Sequence, residues 1–112
     1  MNLTQKSCKA CEGGIPALNR EELDPYLNQI NGWELLELEC FKIQKRFVFK
    51  DFKEAMTFVN QVADLSEKDN HHPNVTVAYN KVDILLWTHA VEGLSENDFI
   101  LAAKIDCLVD DG

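Results

Sequence analysis

The chain has 112 residues, enough for one domain (1–112) with its own core, which begins with an irregular arm over residues 1–20. Its 11 Lys and Arg against 19 Asp and Glu leave a formal charge of −8, which argues against a nucleic-acid partner gripped through its phosphates. No apolar run approaches the roughly 20 residues of a bilayer span, and the first residues lack the apolar core of a signal peptide, so a cytoplasmic protein without membrane contact is expected.

The arm carries Cys8-x-x-Cys11, the spacing of half a zinc site or of a redox pair. Gly13-Gly14 and Pro16 follow, which reads as loop, and there is no second such pair. Cys40 and Cys107 read as core or half-buried thiols, reduced in a cytoplasmic setting. Glu21, Glu22 and Leu23 open a short helix that Leu27 and Ile30 continue, with Pro25 near the first turn and Asn31-Gly32 ending it. Trp33 to Leu38 reads as a strand. Phe41 to Phe49 is a second, with Phe41, Ile43, Phe47 and Phe49 on one face, interrupted by Lys45. Glu39-Cys40 joins the two as a hairpin. Lys42, Lys45, Arg46, Lys50 and Lys53 read as a solvated basic face.

Asp51 is a good N-cap, and Glu54 completes a capping-box pattern. Phe52, Ala55, Met56, Val59, Val62 and Ala63 then form an apolar helical face that runs out near residues 65–68. Val75, Val77 and Tyr79 alternate on a third strand, Asn80-Lys81 turns the chain, and Ile84 to His89 form a fourth strand central to the sheet. Gly93 breaks the chain. Ser95-x-x-Asp98 opens a last helix with Leu101, Ile105 and Leu108 on one face and Phe99, Ala102 and Ala103 beside it. The order β-β-α-β-β-α after a short helix predicts an α+β fold: a four-stranded antiparallel sheet with helices packed on one face. Leu85 and Trp87 face away from Ile84, Leu86 and Thr88, so the second face is also apolar, a hint of a homo-oligomer.

All three histidines, His71, His72 and His89, fall within nineteen residues. Pro73 pushes His72 toward an extended conformation, so the adjacent rings diverge and take different jobs. A hairpin turning at Asn80-Lys81 brings residue 72 near 89. Three readings fit: polar residues at a sheet edge, a three-histidine zinc site, or metal-free acid–base catalysis, for which histidine is the most common residue.

The run Glu67-Lys68-Asp69-Asn70-His71-His72-Pro73, then Tyr79-Asn80-Lys81-Val82, Thr88-His89 and Gly93-Leu94-Ser95-x-x-Asp98, resembles the pterin-4a-carbinolamine dehydratase family. The resemblance takes in the Cys-x-x-Cys-x-Gly-Gly arm and Gly32-Trp33, and extends from about Cys8 to Ile105. It implies the fold just inferred, assembled as homodimers or homotetramers. It also implies dehydration of 4a-hydroxytetrahydropterin to quinonoid dihydropterin, which recycles the tetrahydrobiopterin-type cofactor of aromatic amino acid hydroxylases such as phenylalanine hydroxylase. The pterin is then the substrate, with no metal and no separate cofactor. By the same resemblance His71 and His89 are the acid–base pair, in an order set by the substrate's stereochemistry. His72 orients the pterin and Glu67 supports the rim. His71-His72-Pro73 and Thr88-His89-Ala90-Val91 line the pocket. Asp98 matches a site residue that orients His89 or a water, although a capping role explains it equally well. Trp33 borders the pocket or belongs to the core. Asn70 stands where the family usually has Asp, and Asn97 where animal members have a basic residue. A non-catalytic binding or regulatory module on the same scaffold is the alternative.

Overall fold

The computed structural model describes residues 3–6 and 17–109; Cys8 and Cys11 lie outside them. A short 3-10 turn, Leu3–Gln5, precedes helix α1 (Arg20–Leu27), strands β1 (Glu34–Glu37) and β2 (Phe41–Val48), helix α2 (Phe52–Asp69), strands β3 (Asn74–Ala78) and β4 (Lys81–Leu86), a 3-10 turn His89–Val91, and helix α3 (Glu96–Val109). The four strands form one antiparallel sheet in the order β1-β2-β4-β3, so the fold class expected from the sequence is the one observed. Ile43 and Phe47 of β2 and Val82, Ile84 and Leu86 of β4 are buried on one face against Ala55, Phe58 and Val62 of α2 and Phe99, Leu101, Ala102 and Ile105 of α3. No helix among the described residues is long and apolar enough to cross a membrane.

Several local expectations shift. α1 is opened by Asn19, whose side chain accepts the Glu22 N–H while Glu22 Oε1 accepts the Asn19 N–H, a capping box that the sequence reading passed over. Pro25 is the sixth residue of α1, in its second turn and not its first. At α2 the Asp51 side chain accepts the Glu54 N–H as expected, but Glu54 reaches back to the N–H of Lys50. The buried stripe of α2 is Ala55, Phe58, Val62, Ser66 and Asp69. Phe52 is 51% exposed and Met56 and Val59 are half-buried, so the expected face is turned partly outward.

Lys45 does point into the core side of the sheet, and its ammonium is satisfied there. Nζ donates to the Asn31 carbonyl at 2.7 Å and to Asp106 Oδ1 at 2.8 Å. Trp33 Nε1–H donates to the same carboxylate, and its ring packs edge-on against Phe47, which makes Trp33 a core residue. Lys45 therefore leaves the basic face that the sequence suggested. Arg46, on the opposite face, pairs with Asp83 at 2.8 Å.

The Arg46 hydrogen bond holds the Asp83 carboxyl below its ordinary value of 3.8, against a smaller opposing effect of burial and with help from the guanidinium charge. A depressed carboxyl stabilises the fold above its unfolded pKa, and that contribution is lost as pH falls through the depressed value. Arg46→Met should therefore lower the urea midpoint at about pH 7, and the difference from the natural chain should shrink as pH falls through the depressed value.

Candidate active site

The β3–β4 hairpin sets the site's register. Ala78 pairs with Lys81, so the two-residue turn is Tyr79-Asn80, one residue earlier than expected, with Tyr79 at a φ of 55°. Continuing the pairing from Asn74 and Leu85 places Trp87 opposite His72 and Thr88 opposite His71. His89 is accordingly not the end of β4: the strand stops at Leu86, and His89 begins the 3-10 turn.

His71 enters from the end of α2. Asn70 closes that helix in the left-handed conformation, φ 51° and ψ 43°, which asparagine adopts more readily than most residues. The departure from Asp at this position thus has a backbone role. The N–H groups of Asn70 and His71 both reach the Ser66 carbonyl. One residue before the cap, Asp69 accepts from Lys104 Nζ of α3 at 2.7 Å, and both side chains are largely buried. The segment bearing His71 is therefore tied to α3 before the histidine itself makes any contact.

His71 Nε2–H donates to Asp98 Oδ1 at 2.7 Å; the histidine side chain is 12% exposed and the aspartate fully buried. The other carboxylate oxygen, Oδ2, accepts from Thr88 Oγ1 at 2.7 Å and from the Ser95 N–H at 3.0 Å. A threonine hydroxyl has one proton to give. Since Thr88 spends it on Asp98, the 2.8 Å contact with Ser95 must be Ser95 Oγ–H donating to Thr88. Asp98 is both things the sequence allowed: the third residue of α3, accepting the cap N–H, and the partner of a histidine. That histidine is His71, not His89. With Nε2 donating to the carboxylate, an imidazole that carries a single proton has its lone pair on Nδ1, which has no hydrogen-bond partner among the described residues.

Thr88 is held by reciprocal backbone bonds with Gly93, at 2.8 and 3.4 Å, which close the loop carrying His89. A side chain on Gly93 would meet Ala17 Cβ at 2.7 Å, because the arm crosses here and Leu18 N–H donates to the Leu94 carbonyl at 2.9 Å. Glycine is required by that close approach.

His72 and Glu67 pair at the surface, Nε2 to Oε2 2.5 Å, with side chains 54% and 77% exposed. His89 stands apart from both pairs. Its ring lies 4.3 Å from the Trp87 ring, and the two line a cleft of about 490 Å³ with Glu39, Cys40, Lys42 and Glu92. Ala90 is exposed, while Val91 and Pro73 are half-buried, and none of the three is in the cleft lining. The structure thus joins His71, Thr88 and Asp98 in one network, joins His72 to Glu67, and sets His89 next in chain to Thr88 at the cleft. Among the described residues no three His, Cys, Asp or Glu side chains converge as a metal-binding set.

Trp87 and Lys42 were not singled out as site residues from the sequence. Lys42 Nζ lies 4.0 Å from the Trp87 ring centroid. The signal was present in the strand register, since Ile43 pairs with Leu86 and the next step outward sets Lys42 opposite Trp87.

Residues 16–108 match the family model for pterin 4 alpha carbinolamine dehydratase. A relative from Nitrosospira multiformis, named "Putative pterin-4-alpha-carbinolamine dehydratase", is 49% identical over 107 residues, 96% of this chain and 92% of its own. A relative of the same name from Halorhodospira halophila is 41% identical over 108 residues, 96% of this chain and 98% of its own. Among solved structures, a transcriptional coactivator/pterin dehydratase from Brucella melitensis superposes with a TM-score of 0.75 at 36% identity, covering 82% of this chain and 97% of that one. A pterin dehydratase-like protein identified as a RuBisCO assembly factor in the alpha-carboxysome superposes with a TM-score of 0.63 at 25% identity, covering 75% of this chain and 96% of that one. With a family model spanning most of its length and relatives above 40% identity over nearly all of it, the chain belongs to the pterin 4 alpha carbinolamine dehydratase family.

Proposed function

We propose that this protein dehydrates 4a-hydroxytetrahydropterin to quinonoid dihydropterin. The C4a–O bond breaks, the N5–H proton leaves, a C4a=N5 double bond forms, and water is released. One group must protonate the departing hydroxyl while another takes the N5 proton. The observation that carries this reading is the His71–Asp98–Thr88 network, which fixes one imidazole through a buried carboxylate and ends one residue from a second imidazole, His89. His71, with Nδ1 free, takes the N5 proton. His89, in the lining of the cleft, delivers a proton to the hydroxyl.

His72, steadied by Glu67, orients the pterin at the exposed rim, with Pro73, Ala90 and Val91 bordering it. The pterin is substrate, and neither metal nor a further cofactor takes part. In the cytoplasm this reaction returns a tetrahydrobiopterin-type cofactor to an aromatic amino acid hydroxylase, such as phenylalanine hydroxylase. A homodimer or homotetramer fits the exposed Phe52 and the half-buried Met56 and Val59 beside it on α2.

The names of the two solved relatives favour a second reading, a binding module on the same scaffold. One assay separates them. The protein should accelerate dehydration of chemically generated 4a-hydroxytetrahydropterin well above the spontaneous rate, followed by absorbance of the quinonoid product. No acceleration with either 4a epimer would overturn the enzymatic reading in favour of the binding module.

A further inference from the structure

The three histidines are not held alike. His71 and His72 each have a carboxylate on Nε2. His89 has no hydrogen-bond partner on either ring nitrogen among the described residues, although its side chain is exposed and begins a short 3-10 turn. An unanchored imidazole samples several rotamers, whereas proton transfer needs the ring placed to a fraction of an ångström.

One thing does confine it: the Trp87 indole, 4.3 Å away between ring centroids and inclined at 49°. That indole is in turn fixed on two sides. Its backbone continues directly from Leu86, a fully buried residue of the central strand. The Lys42 ammonium, from β2, stands 4.0 Å from its centroid. All three side chains line the same cleft.

We propose that Trp87, gripped by Lys42, is the positioning residue for His89, doing with an aromatic wall what Asp98 does for His71 with a hydrogen bond. The inference rests on His89 being an acid–base group, as assigned above. It makes Trp87 matter for turnover more than for substrate capture, because the indole acts on the reaction through the imidazole.

The test compares Trp87→Leu, Trp87→Phe and Lys42→Met with the natural chain and with His89→Ala. Trp87→Leu should lose about 10- to 100-fold in kcat with KM within about twofold. Trp87→Phe should keep most of the rate, since a smaller aromatic still offers a wall. Lys42→Met should lose less than Trp87→Leu and in the same sense. In the free protein, the His89 ring-proton resonances should lie upfield under the indole ring current and relax toward their unshielded position in Trp87→Leu.

Wild-type kcat in Trp87→Leu, or equal losses in the Leu and Phe variants, overturns the inference while leaving the proposed chemistry intact, provided His89→Ala is inactive. Full activity in His89→Ala overturns the chemistry and this inference together. Should Trp87→Leu fail to fold, Trp87→Phe and Lys42→Met carry the comparison, and wild-type kcat and wild-type His89 shifts in Lys42→Met then overturn it.

Discussion

A His71→Ala/His89→Ala double variant is expected to lose about 10³–10⁴-fold in the rate of 4a-hydroxytetrahydropterin dehydration. Each positioned acid or base contributes about 10²–10⁴-fold, and groups that act in one step are strongly non-additive, so the double variant should fall little below the worse single one. Asp98→Asn belongs to the same series and is its most diagnostic member. The amide offers one oxygen and one NH2 where the carboxylate accepts from three donors, the His71 Nε2–H, the Thr88 hydroxyl and the Ser95 N–H. One of these donors must lose its acceptor or meet an N–H, and His71 can answer by changing tautomer. That would place a proton on Nδ1, the atom needed as base. A loss of about 10²-fold in kcat is expected, smaller than in a serine-protease triad because His89 remains intact. Stopped-flow absorbance with chemically generated substrate measures the series. A double variant at full rate would remove the acid–base assignment, and a fully active Asp98→Asn would reduce Asp98 to a helix cap.

Lys104→Ala should cost about 3–5 kcal/mol of folding stability. Asp69 is 3% exposed and its carboxylate accepts from Lys104 at 2.7 Å. Removing the ammonium strands a buried carboxylate, which is far worse than removing both charges. Asp69→Asn/Lys104→Met should therefore recover most of the loss. Urea unfolding checks both, and an unchanged midpoint in Lys104→Ala would show that the pair is energetically silent. The stability change also reaches the site, because Asp69 stands two residues before His71 and shares the last turn of α2 with its cap.

Much of the architecture was legible because strong local signals agreed with one another. The alternation in β2, the Asp51 cap, Pro73 after the paired histidines and the Ser95-x-x-Asp98 start each named an element that the structure contains. The shortfalls have physical reasons. The hairpin was placed one residue late because its turn begins on Tyr79, a bulky residue at positive φ where glycine or asparagine is usual. That error moved His89 to a position opposite His72 that Trp87 occupies. The face of α2 was misassigned because the helix carries two apolar stripes about one residue apart. Periodicity cannot say which one meets the sheet; Phe58 settles it by packing on Phe47 and Phe49, 4.8 and 4.9 Å between centroids. Asp98 was read as a cap or a partner of His89, and pattern alone had no way to find that it serves the cap and His71 at once.

Three of the groups that fix His71 come from α3 or the residue before it: Asp98 directly, Ser95 through Thr88 and the shared carboxylate, Lys104 through Asp69. A chain elongated only as far as Gly93 would hold all four strands and all three histidines and still lack the carboxylate that fixes His71. The fixed position of His71 thus depends on α3 being docked against the sheet. The same dependence makes amide exchange in α3 a gauge of the population that holds His71 in place: an opening that releases this helix, even with the sheet protected, frees the imidazole from its carboxylate.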